Sequence, residues 1–159
     1  MKKEITPEEA LMRLESLCAR SEQCTEDIRR KLYMWKIPQS TAEKIIDHLI
    51  DNRYIDDTRF ASAFTRDKFR FNRWGKAKIS RWLTQKHIPK EVINDALDEI
   101  DDEEYEETLI DLLRSKAKTI DDPDCFDGKT RMFRFALSRG FDPTLAIEAI
   151  KSRKWIQEE

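Results

Sequence analysis

The chain has 159 residues, of which 39% are charged and only three are glycine, and its formal net charge is −2. Few glycines and the absence of alternating apolar runs favour an all-α protein. No apolar stretch approaches the roughly 18 residues that a membrane span needs, and the first five residues, Met-Lys-Lys-Glu-Ile, lack a signal-peptide core. We therefore expect a cytoplasmic protein.

The N-terminal third predicts three helices, which form unit 1, residues 6–55. Thr6 begins a capping box, followed by proline at the first helical position. We expect Thr25 to cap the second helix and Ser40 to cap the third, because hydroxyl side chains accept hydrogen bonds from the free amides of a first turn.

The middle of the chain predicts a second unit of three helices, residues 56–100. Asp57 is placed to cap its first helix, and Gly75 marks the break before the next. Three phenylalanines fall on one face of the first helix and are predicted to face the core, namely Phe60, Phe64 and Phe71. Three arginines gather on a different face, namely Arg66, Arg70 and Arg73. Phe69 is predicted to project among these arginines.

The last third predicts unit 3, residues 101–156, with an acidic surface loop at 119–128. Gly140 is expected to end a helix in the left-handed conformation. Asp142 and Pro143 then supply an acidic cap and a proline at the first position of the final helix.

One hydrophobic pattern occurs three times, with offsets of 0, +4, +9, +14, +17 and +18. Its members are Ile28, Leu32, Ile37, Ala42, Ile45 and Ile46; Ile79, Leu83, Ile88, Ile93, Ala96 and Leu97; and Met132, Ala136, Phe141, Ala146, Ala149 and Ile150. Each half fits a helical stripe, and the step of five between the halves crosses a turn. The copies start 51 and then 53 residues apart, which leaves room for one further helix per unit. The pattern predicts three tandem three-helix units in an elongated or curved array.

The charge is unevenly distributed along the chain. Residues 58–90, called the basic block below, hold ten basic residues against Asp67 alone, whereas residues 91–127 hold fifteen acids against three basic residues. Such a block attracts phosphates or an acidic protein surface, and interleaved aromatic rings can add stacking. The candidate contact residues are Arg66, Phe69, Arg70, Arg73, Lys76, Lys78 and Arg81.

Simpler interpretations of these residues stay open. The basic block can be a solvated face, or it can pair with the acidic unit beside it. Trp74 and Trp82 are expected in the core rather than at a contact, because tryptophan usually packs. Phe69 is balanced between the two roles, since its helical face is polar.

Catalytic motifs are missing from the sequence. We find no nucleophile elbow, no phosphate-binding glycine loop and no histidine with a serine or cysteine partner at a recognisable spacing. Carboxylates at the unit boundaries suit helix N-termini. The three cysteines lack metal-ligand spacing, so reduced thiols are expected. We expect neither an enzyme nor a bound cofactor or metal.

Several segments resemble one family. They are Arg20–Glu22 with Ile28–Leu32, Leu49–Ala61, Trp74–Leu83 and Lys86–Ile93, and the part Tyr54–Ala61, YIDDTRFA, is the most specific. These segments resemble the bacterial RecX regulatory proteins, well over residues 8–100 and loosely over unit 3. Two turns depart from the family pattern, because Lys36 and His87 stand where glycine is usual. The acidic loop is also unusual.

The resemblance implies three tandem three-helix units without catalytic residues. It also implies a regulator that binds RecA, the recombinase that polymerises on single-stranded DNA, and inhibits filament extension, ATP hydrolysis and strand exchange. The expected partners are the RecA filament and the single-stranded DNA within it, and the chain is expected to be a monomer. One alternative is a stand-alone DNA-binding protein that uses each helix pair as a recognition element, and another is a helical scaffold for an unrelated partner.

Overall fold

The computed structural model describes residues 4–156, and within this range the chain forms nine α-helices and no strand. The helices are α1 (Pro7–Arg20), α2 (Thr25–Met34), α3 (Gln39–Asp51), α4 (Asp57–Arg70), α5 (Lys76–Gln85), α6 (Lys90–Asp98), α7 (Asp102–Ala117), α8 (Phe126–Ser138) and α9 (Pro143–Lys151). The predicted all-α fold of three-helix units is confirmed. None of these helices is long and apolar enough to cross a membrane. Residues 1–3, part of the segment considered for a signal peptide, lie outside the described range.

The repeated hydrophobic pattern forms the interior of each helix pair. Seventeen of its eighteen residues are buried, and Leu97 is partly buried against the same core. The pattern lies on α2 and α3 in the first copy, on α5 and α6 in the second, and on α8 and α9 in the third, and each pair packs together. The predicted helix–turn–helix arrangement is therefore confirmed, whereas the unit boundaries at 55/56 and 100/101 stay predictions.

The turn inside each helix pair has one left-handed residue. Lys36, His87 and Gly140 have φ angles of 60°, 59° and 92°. The amide that follows each of them donates to a carbonyl of the preceding helix, as Ile37 does to Leu32 at 3.0 Å, which is the long-range hydrogen bond of a Schellman motif. The prediction for Gly140 is confirmed. Lys36 and His87 adopt the same conformation although a side chain there costs roughly 1–2 kcal/mol.

Some of the predicted helix caps are confirmed. Thr6 Oγ1 accepts a hydrogen bond from the Glu9 amide at 3.2 Å, and Asp142 Oδ1 accepts one from the Thr144 amide at 3.1 Å. Carboxylates and hydroxyls at these positions stabilise a first turn because its amides have no partner within the helix.

Three other cap predictions are wrong. Helix α2 already includes Thr25, and α3 begins at Gln39, so Ser40 lies inside it. The cap of α4 is Asp56, whose Oδ1 accepts from the Arg59 amide at 3.0 Å. Asp57 instead accepts from the Thr25 amide of unit 1 at 2.8 Å, so the carboxylate caps a helix of a neighbouring unit.

The acidic loop is shorter than predicted, because α8 begins at Phe126.

The described residues form two hydrophobic cores. Unit 1 has a core of its own, which includes Leu14, Ile28 and Leu49. Units 2 and 3 share a single continuous core that runs from Phe60 to Trp155. Units 2 and 3 therefore form one packed body, and unit 1 is a separately packed neighbour.

The junction between units 1 and 2 is mainly polar. Glu22 pairs with Arg59 at 2.6 Å, and Asp27 pairs with Lys86 at 2.9 Å. Only Cys24 of unit 1 enters the core of the other two units, and burial there raises the pKa of its thiol to about 11. Both pairs remain partly accessible to solvent, and ion pairs of this kind contribute little each, so this junction is held by several weak contacts.

The junction between units 2 and 3 is a close contact of two backbones. The Gly75 amide donates to the Arg139 carbonyl at 2.7 Å, and the Ala77 amide donates to the Gly140 carbonyl at 2.9 Å. A Cβ atom on Gly75 would overlap the backbone of Gly140. The Lys76 amide donates to the Tyr105 hydroxyl at 2.9 Å. The free amides of α5 are thus satisfied by the end of α8 and by α7, which joins the basic unit firmly to the acidic one.

Candidate functional site

Helix α4 carries the first group of candidate residues, and its burial differs from the prediction. Phe69 is only 4% exposed, and its ring lies 5.8 Å from the Tyr105 ring on α7. Phe71, which was expected in the core, is 82% exposed just after the last residue of the helix. The predictions for both phenylalanines are wrong, because α4 has a second buried row, Ala61, Thr65 and Phe69, whose last member meets the Tyr105 ring of unit 3.

Arg66 and Arg70 line a groove of about 300 Å³ above the buried Phe69. The opposite wall carries carboxylates, including those of Glu99 and Glu104. Arg70 Nε lies 3.9 Å from Glu104 Oε1, and both side chains are about half exposed. A pair at this distance in solvent is worth at most about 1 kcal/mol, so a partner carboxylate or phosphate can replace Glu104 at low cost.

A second group of cations lies beside two tryptophan rings, Trp74 in the turn between α4 and α5 and Trp82 on α5. The Trp74 ring lies 5.7 Å from the Trp82 ring, and the ammonium groups of Lys68 and Lys78 lie 4.9 Å and 4.6 Å from the centre of the Trp74 ring. These four residues are called the lysine–indole cluster below. Trp74 packs against the shared core, as predicted, whereas Trp82 is 45% exposed, so its predicted place in the core is wrong. Each ammonium over a ring is attracted by the electron-rich face while it keeps its charge.

The three remaining candidates occupy different settings. Lys76 Nζ lies 5.1 Å from the Tyr105 ring, at the junction with unit 3. Arg73 is exposed and has a left-handed φ of 54° in the turn after α4. Arg81 is exposed on α5 three residues after Lys78, a spacing that places both on one side of the helix. The seven predicted residues therefore fall into several local settings rather than one.

Most cations of the basic block have no internal partner. Within residues 4–156, only three of the ten form ion pairs within 4 Å, namely Arg59, Arg70 and Lys86. The seven without such a pair in this range are Arg66, Lys68, Arg73, Lys76, Lys78, Arg81 and Lys90. Among these pairs only that of Arg70 reaches the acidic third unit. Pairing with that unit therefore does not account for the basic block, and its charge is directed at solvent or at a partner.

The repeat contains the signal that would have revealed the exposed tryptophan. The residue of the first copy that aligns with Trp82 is Lys31, a charged residue. A position that tolerates lysine in one copy lies at the surface of the fold, because a lysine without a partner is almost never fully buried. The burial of Phe69 has a similar signal, because Ala61, Thr65 and Phe69 align at the same offset with Ala10, Leu14 and Cys18, which are buried or partly buried in the core of unit 1.

Residues that could bind a metal are not brought together. Among residues 4–156, no group of three or more histidine, cysteine and acidic side chains could hold a metal ion. Cys18, Cys24 and Cys125 are free thiols. Burial is the main cause that raises the pKa of the Cys18 thiol, which disfavours the reactive thiolate.

Comparisons with known proteins agree with the motifs in the sequence. Residues 56–97 match the family model described as RecX, second three-helix domain. The regulatory protein RecX of Clostridium botulinum (strain Eklund 17B / Type B) is 28% identical over 128 residues, which cover 79% of this chain and 59% of that protein. The chain therefore spans less than two thirds of the length of this relative.

Two crystal structures share the fold. One is of a regulatory protein RecX, with a TM-score of 0.78 and 23% identity over 92% of this chain and 71% of that chain. The other is of RecX from Lactobacillus salivarius, with a TM-score of 0.81 and 20% identity over 94% of this chain and 97% of that chain. Together, the family model, the relative and the shared fold confirm the resemblance to the RecX regulatory proteins that the sequence predicted.

Proposed function

We propose that this chain is a non-enzymatic regulator that binds the RecA recombinase and its nucleoprotein filament. It inhibits filament extension, ATP hydrolysis and strand exchange in the cytoplasm, and it thereby regulates homologous recombination and DNA repair in the SOS response. The family resemblance supports the partner and the direction of the effect. The physical support is the group of basic-block cations that have no ion pair within the described residues.

A nucleoprotein filament suits this charge distribution. The filament presents phosphates along a repeating surface, and each phosphate that a lysine or arginine neutralises releases counterions. The basic block attracts this surface, while the acidic unit 3 opposes long contact with DNA alone. A combined surface of recombinase and DNA therefore fits the chain better than bare DNA does.

Inhibition follows from occupancy of the filament. A chain that contacts adjacent recombinase protomers through different units gains avidity from contacts that are weak individually. Units 2 and 3 share one core, so they bind as a single stiff body. Such a body blocks the addition of the next protomer and opposes the motions that accompany ATP hydrolysis, and it needs no catalytic group to do so.

The alternative of a stand-alone duplex reader receives less support. In a DNA-binding helix-turn-helix the second helix enters the major groove. In the basic unit this helix is α6, which carries Glu91, Asp95 and Asp98 against one basic residue, Lys90. Those carboxylates repel the phosphates on either side of the groove.

The direct test is reversal of two arginines of the basic block. The double variant Arg70→Glu, Arg73→Glu keeps the helical content, because both side chains are exposed, and it weakens inhibition of the RecA ATPase on single-stranded DNA. Circular dichroism and a coupled ATPase assay measure the two effects. Since Glu104 is close to Arg70, the reversal adds repulsion on that side of α4 only.

A matched control reverses the charge of two arginines in unit 1, outside the basic block. Arg30→Glu, Arg53→Glu changes one exposed helical arginine that has a single weak ion pair, at 3.6 Å, and one exposed arginine with a left-handed φ of 59°. We expect this variant to inhibit nearly as well as the unaltered chain. Equal inhibition by both double variants and the unaltered chain would contradict the assignment of the basic block as the contact.

A further inference from the structure

We infer that Trp82 is a stacking site for an unpaired base of single-stranded nucleic acid, with the adjoining phosphates held by Lys68, Lys78 and Arg81. The inference deepens the proposed function at the same surface and rests on it for the biological setting. Stacking of a base on Trp82 is a property of the chain alone, and it can be measured without recombinase.

The Trp82 ring is held in position while a large part of it stays open. It lies 5.7 Å from the Trp74 ring at an angle of 32°, and Trp74 in turn meets Phe64 edge to face at 6.4 Å. Trp74 and Phe64 pack against the shared core, so the row of rings is anchored from below. Trp82 is nevertheless 45% exposed. An aromatic ring that is already fixed loses little conformational entropy when a base stacks on it.

The cations beside this ring match a phosphate backbone. Lys68 and Lys78 both lie over the Trp74 ring, and neither has an ion pair within the described part of the chain. Arg81 immediately precedes Trp82 and is exposed. Proteins that bind single strands combine a positively charged groove along the backbone with aromatic rings on which the bases stack. An exposed ring next to a second ring that two ammonium groups cover favours this ligand over an acidic protein surface, which supplies charge but no flat partner for the indole.

The repeat provides an internal comparison for the lysine–indole cluster. In the first copy, Lys31 aligns with Trp82 and Asp27 aligns with Lys78, so this copy has neither the aromatic ring at the position of Trp82 nor the cation at the position of Lys78. In the third copy, Phe135 aligns with Trp82, but Lys116 and Arg139 lie over this ring at 5.4 Å and 5.2 Å. The helix pair therefore folds without an open aromatic ring at this position, and packing does not explain Trp82.

The test uses three fluorescent probes of equal length, without recombinase: an oligo(dT) strand, an abasic strand with the same phosphates, and a duplex. We expect the chain to bind oligo(dT) about tenfold more tightly than the abasic strand, since stacking of one base on an aromatic ring accounts for a factor of this order. The duplex, whose bases are already stacked, should bind no more tightly than oligo(dT). Fluorescence anisotropy measures all three affinities.

Two variants separate stacking from charge. Trp82→Ala should abolish the preference for oligo(dT) and leave binding of the abasic strand unchanged. Lys68→Gln with Lys78→Gln should weaken both single strands equally and lower the slope of log affinity against log salt by about 1.4, because each contact with a single strand contributes about 0.7. Phe71→Ala is the matched control, since it removes another exposed ring of the same unit, and it should change neither affinity.

A second measurement uses the unaltered chain and so does not depend on the folding of a variant. Oligo(dT) should quench tryptophan fluorescence, whereas the abasic strand at equal saturation should not. Equal affinity for the two strands without selective quenching would overturn the inference, as would tighter binding of the duplex. Loss of filament binding in Trp82→Ala without any base preference would also overturn it, because Trp82 would then be a protein contact. A base preference in a chain that fails to inhibit RecA would support the stacking site and refute the proposed function.

Discussion

The contact between Gly75 and Gly140 predicts a large effect for a very small substitution. Gly75 has φ −76° and ψ 167°, an extended conformation that alanine adopts without strain. Gly75→Ala therefore leaves the local backbone unstrained and adds only a methyl group. That methyl group would overlap the Gly140 backbone, so units 2 and 3 must separate at this point.

The expected cost has two parts. An added methyl group in a tightly packed contact costs about 1–3 kcal/mol. Separation also weakens the hydrogen bonds of the Gly75 and Ala77 amides, at 2.7 Å and 2.9 Å, each worth about 1 kcal/mol. The total is about 2–5 kcal/mol, which lowers the melting temperature of a chain of this size by roughly 5–15 °C.

Urea unfolding followed by circular dichroism measures this change, and a double-mutant cycle tests its cause. Gly140→Ala should cost more than Gly75→Ala, because alanine at a φ of 92° adds backbone strain. Since both substitutions open the same contact, the double variant should cost clearly less than the sum of the single ones. A cost below about 0.5 kcal/mol for Gly75→Ala, the range of an ordinary surface substitution, would refute the described contact.

Three further predictions concern single side chains. Phe69→Ala should cost about 3–5 kcal/mol in urea unfolding, whereas Phe71→Ala should cost no more than about 0.5 kcal/mol; similar costs would contradict the assignment of the buried face. Lys36→Gly should stabilise the chain by about 0.5–1 kcal/mol, because the removed penalty of the left-handed conformation exceeds the extra conformational entropy that glycine loses on folding. A lower urea midpoint for this variant would contradict the reasoning. The Cys24 thiol has a pKa of about 11 in the folded chain against 9.0 as its ordinary value, so the unfolded state loses its proton first. The contribution of this thiol to stability is therefore constant below pH 9 and falls between pH 9 and 11. Across this range the urea midpoint of the unaltered chain should fall relative to that of Cys24→Ala. A difference between the two midpoints that stays constant with pH would contradict the prediction.

Packing within each unit could be predicted from the sequence. The offsets shared by Ile28, Ile79 and Met132 and their followers specify two helices and a turn, because burial repeats with the period of the helix. Gly140 and Asp142 were predicted correctly for a similar reason, since each acts through its own backbone or first turn.

Contacts between units could not be predicted in this way. The ring of Phe69 meets the Tyr105 ring of unit 3, and no pattern within α4 identifies that partner. Asp57 was predicted to cap its own helix, yet its carboxylate caps α2. A sequence pattern indicates which residues are buried or capping, but it does not identify their partners in another unit. The candidate site was affected in part: charge counts located the basic block, but the approach of Lys68 to the Trp74 ring depends on how side chains from separate segments meet, whereas the exposure of Trp82 could have been predicted from the repeat.

The different chemistry of the two junctions predicts that the chain opens in stages. Salt screens the carboxylate–cation contacts of Glu22 and Asp27, whereas it does not weaken the apolar core that units 2 and 3 share. In native-state hydrogen exchange, amides of the N-terminal third should therefore exchange through a low-energy partial opening that becomes more frequent as ionic strength rises. The amides of the remaining two thirds should exchange only through a rarer opening that does not depend on salt. Unit 1 can therefore unfold or separate while units 2 and 3 stay folded.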